Sequence, residues 1–164
     1  MNIFAKRWYV RVLAHLYDHN GARFVVMKHA LGINADSLTR TLKALIDEGW
    51  VERNPGYGHP LRPEYILSDS GRVLAERCSR FDTVVDTLQV ASTVYHKWSV
   101  PTLIVIDHGV SRFNALREQL AITPRALTQS LERLCLVALV EQRDGYRTTV
   151  PGRRIAQLAE RLDA

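Results

Sequence analysis

An internal repeat constrains this 164-residue sequence more than anything else in it. Displaced by 89 residues, the chain meets itself. Arg23-Phe24 falls on Arg112-Phe113, Leu31 on Leu120, Ile33 on Ile122, Leu38-Thr39 on Leu127-Thr128, Leu42 on Leu131, Leu45 on Leu134 and Val51-Glu52 on Val140-Glu141. These are 10 identities over 31 ungapped positions. Trp8 pairs with Trp98 once one residue is skipped. Tyr65 and Gly71-Arg72 pair with Tyr146 and Gly152-Arg153 once a longer loop in the first copy is allowed for. One module used twice needs a core in each copy, and about 80 residues is enough for a small domain.

Each copy has the same local order. An apolar helical stretch opens it, from Trp8 to Tyr17 and from Trp98 to Ile106. After a turn at Asn20-Gly21 or His108-Gly109 comes a short amphipathic helix, Arg23 to Leu31 or Arg112 to Leu120. The third helix is better marked. Asn34 is its N-cap in copy one, and Leu38, Leu42, Leu45 and Ile46 form an apolar stripe. In copy two Thr123 caps, Pro124 takes the first helical position, and Leu127, Leu131 and Leu134 repeat the stripe. Gly49 stops the first of these helices.

A β-prone segment follows. Trp50 to Arg53 runs into a Pro- and Gly-rich loop and returns through Tyr65, Ile66 and Leu67; Leu139 to Gln142 turns at Asp144-Gly145 and returns from Tyr146 to Val150. Helices close both copies, from Ser70 and from Pro151 to Leu162. Ser70 to about His96 reads as one or two joining helices. The expected fold is therefore mainly α with small β-hairpin wings, a tandem winged helix-turn-helix. The expected domains are 1–75 and 97–164, with a helical connector at 76–96.

Composition narrows the function class. Hydrophobic residues at 46% and charged residues at 24% fit a globular chain. No apolar stretch comes near the roughly 20 residues a spanning helix requires; Val100 to Ile106, with Pro101 and Thr102 inside it, is far short. Two cysteines and no signal-peptide pattern point to the cytoplasm. The net charge of +5 favours an anionic partner, and the basic side is nearly all arginine, which suits phosphate and guanine edges, although GC-rich codon usage gives the same bias. Phosphate-loop, dinucleotide, zinc-protease, hydrolase-elbow and C-x-x-C motifs are all missing, so no catalytic residue, metal or cofactor is expected.

The residues Lys97-Trp98, Arg112-Phe113-Asn114-Ala115-Leu116, Ile122-Thr123 to Leu127-Thr128 and Arg133-Leu134 carry a resemblance. So do Arg23-Phe24, Leu38-Thr39 to Leu42-Lys43, Gly49 to Arg53, and Gly58 to Tyr65. Both copies resemble the winged-helix domain of HxlR-type regulators, within the broader MarR-like class of bacterial transcription factors. The likeness covers about 8–75 and 98–156. HxlR-like proteins usually carry one such domain and dimerise, whereas this chain carries two.

The resemblance implies double-stranded DNA as partner, with the third helix in the major groove and the wing on the backbone or minor groove. Positions off the leucine stripe then face the groove: Asp36, Ser37, Thr39, Arg40, Thr41 and Lys43, and Arg125, Ala126, Thr128, Gln129, Ser130 and Arg133. Arg40, Arg125 and Gln129 are the expected base readers, and Lys43 and Arg133 the phosphate holders. The wings add Arg53, His59 and Arg62 in copy one, and Arg143 and Arg147 in copy two, where Arg153 and Arg154 follow and the single acid is Asp144. Any solvated helix face carries similar residues, so the repeat and the family likeness give the DNA reading its weight.

Other features read as structural. Cys78 and Cys135 are expected to be packing residues, with a redox role open for Cys78 beside Arg77 and Arg80. His15 and His19, at i and i+4, fit a solvated or capping role better than a metal, and Trp8, Trp50 and Trp98 are expected in the core. Two alternatives stand beside the regulator: a tandem winged-helix protein-interaction adaptor, which would lose its basic face and keep an apolar patch, and a non-specific architectural DNA-binding protein. A homodimer, an intrachain pseudo-dimer and a small-molecule effector of unidentified chemistry all stay open.

Overall fold

The computed structural model describes residues 3–54 and 64–163. The chain divides into two compact units, Trp8–Asp82 and Thr83–Ala164, the latter joined by Met1–Arg7. The first unit holds α1 (Tyr9–Asp18), α2 (Phe24–Leu31), α3 (Ala35–Asp47), the strands β1 (Val51–Asn54) and β2 (Glu64–Leu67), and α4 (Asp69–Thr87) up to Asp82. In the second are a 3-10 turn at Ile3–Ala5, α5 (Ala91–Val94), α6 (Ser99–Asp107), α7 (Phe113–Leu120), α8 (Pro124–Leu136), β3 (Val140–Arg143), β4 (Gly145–Thr148) and α9 (Val150–Asp163). Three helices, a hairpin and a closing helix occur twice: a tandem winged-helix plan, mainly α.

Local chemistry sets the element ends. Asn34 Oδ1 accepts the Ser37 N–H at 2.8 Å, and Thr123 Oγ1 accepts that of Ala126 at 3.3 Å, so both third helices are capped the same way. Gly32 ends α2 in the left-handed region at φ 61°, and Ala121 ends α7 there at φ 49°. The next pair repeats this: Gly49 has φ 77° and Ala138 φ 55°. Copy two thus places alanine twice where copy one has the residue suited to that conformation.

Both hairpins are antiparallel, Val51 opposite Leu67 and Val140 opposite Thr148. Each is tied to the segment that follows a helix packed near it, α1 in the first unit and α6 in the second. Ala22 and Tyr65 exchange two backbone bonds of 3.0 Å, and the Tyr146 N–H donates to Ser111 O at 2.9 Å. The closing helices start on matching staples. Ser68 Oγ accepts the Gly71 N–H and donates to Gly49 O at 2.6 Å; Thr149 Oγ1 accepts the Gly152 N–H and donates to Ala138 O at 2.7 Å. Backbone packing there is so close that a Cβ on Gly71 or Gly152 would stand 1.9 Å from the carbonyl oxygen of Trp50 or Leu139.

The cores lie behind the third helices. Leu13, Leu16, Met27, Leu38, Leu42, Leu45 and Phe81 are buried in one unit, and Leu103, Leu116, Leu127, Leu131, Leu134 and Ile155 in the other. The buried arc is turned from the expected one. Ile46 is 38% exposed, whereas Thr41 is 8% and Ser130 3% exposed. The arc is 38, 41, 42 and 45, because a residue three places from one leucine and four from another lies between their rows. Thr41 and Ser130 therefore do not face a groove; Ser130 Oγ donates to Thr102 Oγ1 at 3.2 Å inside the core.

Cys135, at the position of Ile46, is half-exposed for the same reason and is not a core residue. The three tryptophans are only half-buried: Trp8 and Trp98 stand at the N-cap positions of α1 and α6 without a side-chain capping bond, and Trp50 meets Tyr9 edge-on at 6.4 Å. β4 stops at Thr148, so Val150 opens α9 and does not extend the strand. Among the described residues no helix is long and apolar enough to cross a membrane.

Candidate nucleic-acid interface

The stripe that buries one face of α3 leaves the opposite face to solvent. Thr39, Arg40 and Lys43 are exposed there, and Ser37 is half-buried at the capped first turn. Thr39 Oγ1 donates to Ala35 O at 2.8 Å, so this hydroxyl is held on its own helix. Arg40 Nε lies 3.4 Å from Asp36 O, which leaves the fork at the end of its guanidinium outward. Lys43 has no partner among the described residues.

On α8 the matching face carries Arg125, Thr128 and Gln129, all exposed and without a side-chain partner among the described residues. A planar fork and a carboxamide on one exposed face are the groups that pair with guanine and adenine edges. Arg133 is half-buried on the flank of that face, with Nη1 3.4 Å from His96 Nδ1. His96 is 37 residues away in sequence, so nothing in the pattern joined the two.

The two hairpins differ. β1 and β2 leave nine residues between them, and β3 and β4 only Asp144. Arg53 is exposed on β1 with its guanidinium 5.9 Å from the Tyr65 ring centroid. His59 and Arg62 lie outside the described residues. In the second hairpin the expected excess of free arginine is smaller than the sequence suggests. Arg143 pairs with Glu141 at 3.3 Å, Arg112 with Asp144 at 3.4 Å, and Arg153 with Asp107 at 3.3 Å, where Thr148 Oγ1 also donates at 2.7 Å. Glu141 stands two places before Arg143 on the same strand of the wing, whereas Asp107 comes from the end of α6, outside any count along the wing. Arg147 stays exposed and has no partner among the described residues.

The sensor candidates separate clearly. Cys78 is fully buried, and burial, reinforced by Asp82, pushes its thiol up to about 12, so it stays a thiol at neutral pH. Burial also raises Cys135, from a half-exposed position. His15 is buried and not solvated, its ring stacked on His19 at 4.1 Å, while His19 caps α1. Among the described residues no group of three His, Cys, Asp or Glu could hold a metal ion.

Comparison with known proteins agrees with this architecture. The family model described as HxlR-like helix-turn-helix matches twice, over residues 3–89 and 93–162. No protein of curated function matches the chain. Among solved structures, wild-type MarR from E. coli in its apo form is similar at 23% identity and a TM-score of 0.41, over 48% of this chain and 64% of that one. A cysteine-to-serine mutant of the same protein gives 24% identity and a TM-score of 0.41, over 47% and 62%. The chain thus spans less than two thirds of the length of these structures. With both copies matched across nearly its whole length, the chain belongs to the HxlR-like helix-turn-helix family.

Proposed function

We propose that the protein is a sequence-specific regulator of transcription that binds double-stranded DNA in the cytoplasm, with α3 and α8 as its recognition helices. One observation supports this most: two capped helices of equal length, each burying a leucine face and leaving polar readers outward. In this reading Arg40, Arg125 and Gln129 contact base edges, with Ser37, Thr39 and Thr128 adapting to bases or phosphates. Lys43 and Arg133 hold phosphates. Arg53, His59 and Arg62 of the long wing, and Arg143 and Arg147 of the short one, meet the backbone. Two different helices in one chain suit an operator with two unlike half-sites, read by an intrachain pseudo-dimer; a homodimer is the other assembly.

A second reading has an observation of its own. Leu136 and Val150 are each 86% exposed at the end of α8 and the start of α9, where copy one has Asp47 and Asp69. Exposed apolar residues in place of acids fit a protein-docking role for the second unit. Fluorescence anisotropy across a salt series, with the gene's own upstream DNA and a scrambled duplex, separates the readings. The regulator binds the upstream duplex more tightly and loses affinity steeply with salt. Equal binding to both marks an architectural protein, and no binding at low salt marks the adaptor.

A further inference from the structure

The short hairpin packs against α8 through β3. Cys135 is on that flank, close enough to Tyr146 of β4 to influence it. Arg133, two residues earlier, lies about 160° around the helix at 3.6 residues per turn. It faces the side where α5 packs against α8, and there Nη1 is 3.4 Å from His96 Nδ1 in the turn between α5 and α6. The charged groups acting on His96 are both cations, Arg133 from α8 and Arg7 from the amino-terminal segment of the same unit. Lys97, next in the chain, holds its ammonium 5.1 Å from the Trp98 ring centroid. In copy one the corresponding positions are Ala44 and Lys6, so the Arg–His pair belongs to the second unit alone.

A guanidinium held beside an imidazole on this flank makes a field that an anion relieves. We infer that Arg133 and His96 form a phosphate seat beside α8, on the flank away from the hairpin, for one phosphodiester of the DNA backbone. This rests on the DNA-binding reading above and gives its phosphate holder Arg133 a titratable partner. The Arg133 fork supplies paired donors, and His96 supplies another once it is protonated.

In the free protein, burial and then the two guanidiniums hold His96 below its ordinary 6.5. Its Nδ1 is then unprotonated and accepts from Arg133. A phosphate in the seat offsets the guanidinium charge and favours imidazolium, so binding takes up a proton. A complex that holds more protons than its parts gains affinity as pH falls through the ordinary histidine range.

The test is anisotropy on the full chain with the upstream and scrambled duplexes, over salt, at about pH 6 and about pH 8. Arg133→Ala is expected to lower affinity by about tenfold on both duplexes and to reduce the salt slope by about 1, while Arg133→Lys keeps the slope. His96→Asn is expected to bind with a weaker pH dependence than the wild type. Circular dichroism confirms that each variant is folded; both side chains reach the surface, and His96→Asn serves should Arg133→Ala unfold. An unchanged slope in Arg133→Ala and an unchanged pH dependence in His96→Asn, with wild-type binding intact, overturn the seat and leave the DNA reading standing. A wild type that binds neither duplex overturns both.

Discussion

Ala121 and Ala138 carry a backbone cost that Gly32 and Gly49 avoid at the same places in the first copy. A left-handed conformation costs an L-residue roughly 1–2 kcal/mol. Ala121→Gly and Ala138→Gly are therefore each expected to stabilise the chain by about 1 kcal/mol in a denaturant melt, less the added entropy of glycine when unfolded. The reverse holds at Gly71 and Gly152. A Cβ there would overlap a carbonyl oxygen, so Gly152→Ala is expected to destabilise by about 2 kcal/mol or more. The sequence marked Gly49 as a helix stop and paired Gly71 with Gly152 in the repeat. Why the latter two are glycine was not legible, because the clash comes from a residue brought close only by the hairpin. The cysteines make a sharper contrast. With Cys78 pushed up to about 12 and buried, a thiol reagent at about pH 8 should modify Cys135 first and reach Cys78 only on unfolding. Faster labelling of Cys78 in the native protein would overturn that order.

At the scale of elements, helix boundaries were legible because capping is local. Asn34 and Thr123-Pro124 signalled their helices and do cap them. Thr123→Ala should cost about 1 kcal/mol, and Thr123→Ser much less, by the same denaturant measurement. The exposed faces were legible only in part. The leucines fixed the centre of the buried arc, but its edges depend on what packs against each side, so Thr41 and Ser130 went inward and Ile46 and Cys135 outward. Wing charge was less legible still. Glu141 stands two places before Arg143 on β3, where alternate residues share a face, but Asp107 reaches Arg153 of α9 only through packing. Such exposed pairs contribute little to stability, yet they lower the field a phosphate would meet.

At the scale of the whole molecule, the two helices proposed to read DNA differ in sequence, which makes the proposed readers on each separately testable. Arg40→Ala and Arg125→Ala are each expected to weaken binding to the specific duplex by about 1–3 kcal/mol and to leave scrambled DNA nearly unaffected. If both helices read one duplex, the double variant loses about the sum of the two, because the residues share no partner. Should one helix alone read DNA, one single variant is silent and the double equals the other. Scrambling half of the duplex then assigns each helix to its half: the variant on the helix that has lost its half-site no longer weakens binding further, while the other variant does. A duplex on which both variants stay silent would refute base reading by either arginine, and the repeat would then mark two scaffolds of one fold and not two readers of one operator.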